Sequence, residues 1–114
     1  MVTLLELEKF LEKLPLPATP KWPDGVWDIQ AIKHGYMSAS VFSPKKHDYQ
    51  TPHEQDEIYF VTRGNGKMVA QNKTVEFKEG DAIFVQAGDE HRFEDFSEDL
   101  VLWVVFYGPK GGEP

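Results

Sequence analysis

Thr51-Pro52-His53-Glu54-Gln55-Asp56-Glu57-Ile58-Tyr59-Phe60-Val61-Thr62-Arg63-Gly64 is the stretch on which the reading of this chain turns. Its first half is polar, and its second half is a β-branched and aromatic run that stops at a glycine, the pattern of a strand entering a turn. Another block, Gly80-Asp81-Ala82-Ile83-Phe84-Val85-Gln86-Ala87-Gly88-Asp89-Glu90-His91-Arg92-Phe93-Glu94-Asp95, holds a second apolar run and carries another histidine. His53, Glu57 and His91 supply two neutral nitrogen donors and one carboxylate. Such a set binds a divalent transition metal and leaves coordination positions open for a substrate or oxygen.

Outward from these blocks, short strand-like segments fill the chain from Val26 onward. They are Val26–Ile32, Tyr36–Phe42, Glu57–Thr62, Gly66–Gln71, Thr74–Phe77, Ala82–Val85, His91–Asp95 and Leu100–Tyr107. Turn residues divide them, most clearly Gly64-Asn65-Gly66, because glycine and asparagine tolerate positive φ. Strands this short, with no helices between them, predict an antiparallel sandwich or barrel. Ahead of them, Leu4, Leu5, Leu7, Phe10, Leu11 and Leu14 recur at helical spacing behind a capping box, Thr3-Leu4-Leu5-Glu6. Leu14-Pro15-Leu16-Pro17 stops that helix, which is expected to pack on the outside of the β domain or on a second subunit. The expected organisation is a helix and Pro-rich link over 1–24, a β domain over 25–108 and a flexible tail over 109–114.

Composition sets limits on function. At 114 residues the chain is read as one domain with a single core, and 40% hydrophobic content argues against disorder. A formal net charge of −7 argues against nucleic acid as a partner, since phosphate binding needs clustered Lys and Arg. The absence of cysteine excludes disulfides and thiolate metal sites and fits a reducing cytoplasm. The segment after Met1 carries Glu6, Glu8, Lys9 and Glu12, so no secretory or membrane-spanning stretch is expected.

The two blocks resemble the paired motifs of the cupin superfamily. That family's first motif has the form His-x-His, three or four residues, Glu, six residues and Gly; here His53, Glu57 and Gly64 keep the spacing. Its other motif has the form Gly, five residues, Pro-x-Gly, two residues, His, three residues and Asn. Gly80, Gly88, His91 and Asp95 match it, with Gln86 for proline and Asp95 for asparagine. The chain resembles a small single-domain cupin lacking the first histidine of motif 1. The resemblance implies an all-β double-stranded β-helix, a jelly-roll barrel, with a short N-terminal α-helix. It also implies a mononuclear metal held by His53, Glu57 and His91, and a homodimer.

Thr51 occupies the place of the missing histidine. The fourth ligand is left among Gln50, Thr51, His47 and water. On an extended strand Thr51 and His53 share a face, whereas Pro52 can mark a bulge that re-aims Gln50 inward. A metal-free Glu–His cluster is the competing reading of the triad, though a carboxylate buried beside two histidines is easier to rationalise with a cation present. The donor set fits Fe, Mn, Ni, Cu or Zn, with the identity open. The functional expectation is a metal-dependent enzyme acting on a small oxygenated organic molecule, with dioxygenase-like chemistry favoured over isomerase-like on resemblance alone. Glu57 is the candidate acid–base group. The alternative is a non-catalytic cupin that binds a small ligand or a metal; a sensory module with a DNA-binding partner domain is disfavoured. Elsewhere, His34 and His47 read as surface or hydrogen-bonded residues, Asp56 as an outward charge, and Trp103, Val105 and Tyr107 as core. Arg63 and Arg92 read as surface cations or as anion holders. Tyr36, Ser38 and Ser40 read as the wall of a polar cavity or as the solvent side of a strand.

Overall fold

Wherever β-branched and aromatic residues cluster between turn residues, the chain is extended. In a computed structural model describing residues 1–114, eight strands follow one short helix. They are β1 (Asp28–His34), β2 (Met37–Phe42), β3 (Asp56–Arg63), β4 (Asn65–Ala70), β5 (Lys73–Lys78), β6 (Ala82–Val85), β7 (His91–Glu94) and β8 (Val101–Tyr107). All pairings are antiparallel, in a five-stranded sheet of order β1-β2-β8-β3-β6 and a three-stranded sheet of order β5-β4-β7. The sheets face each other as a jelly-roll barrel, as the family resemblance implies.

The pairing register fills the interior. Glu57, Tyr59 and Val61 on β3 stand opposite Phe106, Val104 and Leu102 on β8, so alternate residues of both strands face inward. Leu102, Val61, Met68, Phe77 and Phe93 form the apolar end of this interior. Phe93 packs edge-on against Tyr59 and Phe77, with ring centroids 5.1 and 5.4 Å apart. Gly64 makes the β3–β4 turn at φ +89°, and a side chain there would run into the Leu100 backbone at 2.9 Å.

Four expectations change. Trp103 and Val105 face outward, while Leu102, Val104 and Phe106 belong to the core or pack on it. β8 is apolar on both faces, so its composition carries no parity. The outer face is partly covered by the helix α1 (Leu7–Leu11), whose Phe10 meets Trp103 edge-on at 6.3 Å. That helix is shorter than the leucine spacing predicts, and Glu6, not Thr3, is its N-cap, with no side-chain capping bond. Thr3 and Leu4 lie outside it and are exposed, so nothing there holds an extra turn. Asp56 is buried, accepting from the Ala87 and Glu113 backbone N–H groups at 2.9 Å each, and these bonds hold its pKa below the usual carboxylate range. Through that bond, and one from Gly111 N–H to the Glu54 carbonyl, the segment after Pro109 folds back onto the barrel.

No helix is long and apolar enough to cross a membrane. On the outer face of β3 and β6, Phe60 and Phe84 stay 44% and 53% exposed.

Candidate metal centre

The polar end of the barrel interior is built by three segments that are distant in sequence. Glu57 is the second residue of β3 and His91 opens β7, both on the inward face, while His53 comes from the irregular segment before β3. A hydrogen bond from Gly88 N–H to the His53 carbonyl, 2.8 Å, pins that segment to the β6–β7 loop. Ligand atoms of His53, Glu57 and His91 come within 4.8 Å of one another.

Both carboxylate oxygens of Glu57 are buried without a hydrogen-bond partner. Oε1 does approach His91 Nε2 at 2.7 Å, but without a hydrogen bond. We read the contact as a charge pairing of the metal-free cluster. His91 Nδ1 lies 2.8 Å from the Asp89 carbonyl, which accepts only if Nδ1 carries a proton; that leaves Nε2 turned into the site. Burial pushes the His91 pKa down, but the Glu57 contact, the bond to the Asp89 carbonyl and the charges of Glu57 and Asp48 outweigh this and raise it. His53 is lowered, chiefly by burial. A carboxylate with two orphaned oxygens beside two imidazoles is a donor set that fits a divalent transition metal, because a cation supplies the missing partner.

Around the three donors lies a hydrogen-bonded wall. Tyr59 donates to Gln50 Oε1 at 3.0 Å and lies 3.0 Å from His91 Nε2. Burial and the negative charges of Glu57 and Asp48 push the Tyr59 pKa well above 10.0, so it stays a phenol. Gln50 Oε1 is also 3.2 Å from His53 Nε2. Beside this wall a cavity of about 150 Å³ is lined in part by Lys21, Trp22, Asp28, His53 and Phe106. It adjoins a wider groove that Asp28, His53 and Phe106 also border, along with Ser38, Ser40 and Tyr36. Asp28 is open to solvent through this mouth. Enclosure by protein and the charge of Glu57 nonetheless push its carboxyl up to about 6.

A family model described as the cupin domain matches residues 40–107. The chain belongs to the cupin family. This cupin is 35% identical over 89 residues to protein SCO3923 of Streptomyces coelicolor, covering 76% of this chain and 84% of that one. It is 28% identical over 109 residues to the HTH-type transcriptional activator RhaR of Yersinia pseudotuberculosis; the match covers 94% of this chain but spans only 30% of RhaR. Among solved structures, protein NMB1881 from Neisseria meningitidis superposes with a TM-score of 0.68 at 16% identity, covering 93% of this cupin and all of that chain, a likeness of fold.

Of the residues singled out in the sequence, His53, Glu57, His91 and Gln50 come together. His47 is exposed and packs on Tyr49, and Thr51 accepts a hydrogen bond from Lys21 at the surface. His34 is exposed. Arg63 pairs with Glu8 of α1, and Arg92 pairs with Glu94 at 2.7 Å, both outside the cavity. Three residues at the site escaped the sequence reading. Tyr59 was within reach, being two residues beyond Glu57 on the same strand face. Asp48 carried a weak signal, an Asp two residues before Gln50 as in an Asx-turn. Asp28 carried none beyond its place in a strand.

Proposed function

We propose that this cupin holds one divalent transition metal at His53, Glu57 and His91, with Gln50 as a further donor, and is an enzyme acting on a small oxygenated organic molecule. The observation that carries the reading is Glu57, whose buried carboxylate oxygens lack hydrogen-bond partners between two imidazoles. Fe, Mn, Ni, Cu and Zn suit these donors, and the bound ion would act as a Lewis acid or, if iron, support dioxygenase-like chemistry. The remaining work falls to the chain. The cavity of about 150 Å³ admits a ligand of few heavy atoms. Phe106 and Trp22 form its apolar walls, and the Tyr59 hydroxyl holds Gln50 in place. Glu57 is the acid–base candidate among the donors, and Asp28, with its pKa near 6, is a second carboxyl able to exchange a proton near neutral pH. A homodimer would cover Phe60 and Phe84, and sedimentation of the purified protein tests that.

The test of the metal reading is elemental analysis and Zn²⁺ titration of untagged protein, with Glu57→Gln as control. Wild type should bind one equivalent. Glu57→Gln should lose more affinity than the roughly 10- to 100-fold that removal of an outer partner costs. Equal binding by the two would sink the site. Anaerobic iron loading followed by a screen of catechols, diketones and sugar phosphates then tests turnover.

A ligand-sensing cupin is the second reading, supported by the alignment of 94% of this chain with part of RhaR. It expects ligand binding at the same cavity without turnover.

A further inference from the structure

We propose that Asp48 is a positioning residue that turns the Gln50 carboxamide so that its oxygen faces the metal centre, making Gln50 a donor where a histidine is missing. The inference rests on the metal reading above and adds to it the device that orients the donor. A carboxamide has two ends of nearly equal size, one that accepts and one that donates, so its orientation is decided by its partners. Asp48 takes hold of the donating end. Its Oδ2 accepts from Gln50 Nε2 at 2.5 Å, and its Oδ1 accepts from the Gln50 backbone N–H at 3.0 Å. The backbone bond closes an Asx-turn that bends the chain at Gln50. Reversing the amide would set its oxygen against a carboxylate oxygen at that distance, so the bonds themselves select the orientation.

With the NH₂ group held, Oε1 is left for the site. It accepts from the Tyr59 hydroxyl at 3.0 Å and lies 3.2 Å from His53 Nε2. Two donors sharing one ion at roughly 2.1 Å stand about 3 Å apart, so the Gln50–His53 spacing suits joint ligation.

Asp48 is also tied to the strand that brings in His91. Oδ2 accepts from the Phe93 backbone N–H at 2.8 Å, two residues along β7 from His91. One carboxylate thus links the irregular segment carrying Gln50 and His53 to the strand carrying His91. Gln50 is neutral, as the absent imidazole would be, so the donor set keeps a single negative charge, from Glu57, while an oxygen takes the place of a nitrogen.

The test is Co²⁺ binding by the full chain, read both as a dissociation constant and as the visible absorption of bound Co²⁺, which responds to the donor set. The proteins are wild type, Asp48→Asn, Gln50→Ala and the double variant. Asp48→Asn and Gln50→Ala should each weaken Co²⁺ binding by roughly 10- to 100-fold and shift the absorption bands. In the Gln50→Ala background, adding Asp48→Asn should cost clearly less than it does in wild type, since the share of its effect that passes through Gln50 is already gone and only its bond to the Phe93 backbone N–H remains. An Asp48→Asn protein with wild-type affinity and spectrum would overturn the proposal, as would a full Asp48→Asn loss persisting without Gln50. If Asp48→Asn does not fold, Gln50→Ala decides alone, because unchanged binding and bands would mean that Oε1 donates nothing. Wild-type protein that binds no Co²⁺ would overturn the metal reading along with this one, whereas binding that ignores Gln50 and Asp48 overturns this one only.

Discussion

Val61 and Glu57 lie on the same face of β3, four residues apart, and stand in opposite environments. Val61 meets Leu102, Met68, Phe77 and Phe93 in a closely packed apolar floor. Glu57 meets His53 and His91 and has no hydrogen-bond donor of its own. The floor is what makes the fold stable. The upper end is costly to bury without an ion, and it carries the proposed metal site. Tyr59, midway between them, packs its ring on Phe93 and sends its hydroxyl to Gln50.

If that division holds, the largest effect comes from the floor. Phe93→Ala removes a ring that is 1% exposed and should cost about 3–5 kcal/mol in denaturant unfolding, with or without metal. A loss that appeared only with metal present would place Phe93 in the site instead. At the boundary, Tyr59→Phe leaves Gln50 Oε1 without its hydroxyl donor and should cost about 1–3 kcal/mol. Glu57→Gln should have a small effect on metal-free protein, melting close to wild type, because the cost of burying the carboxylate offsets what its contact with His91 returns. A large drop would show that Glu57 stabilises the empty barrel.

The smallest effect belongs to the mouth and depends on pH. The Asp28 carboxyl is raised from 3.8 to about 6, chiefly by the protein that encloses it and then by Glu57, so the folded chain binds more protons than the unfolded one between those values. Stability therefore falls as pH rises through that window. Asp28→Asn removes the penalty: its melting temperature should match wild type below about pH 4 and exceed it above about pH 7. A constant difference across pH would break the assignment.

Legibility in the sequence followed periodicity. Strands near all eight expected segments form, because alternation, β-branching and turn residues act locally and agree with one another. The motif spacing drew His53, Glu57 and His91 together because register carries Glu57 and His91 onto inward faces. Reading failed where periodicity was absent or uninformative. Parity could not assign Trp103 on a strand apolar on both faces. It also could not place Gln50, because residues 45–55 form no strand and the expected alternation of Thr51 with His53 does not apply.

By itself, then, the order of residues determined the strands, the turns and the two inward-facing donors that lie on strands, since these depend on interactions among near neighbours. Only the tertiary structure decided which way the Gln50 amide turns, that Asp48 and Tyr59 hold it, and that Asp28 lines the cavity beside His53. Those outcomes depend on hydrogen bonds and charges between segments tens of residues apart, and no local pattern records them.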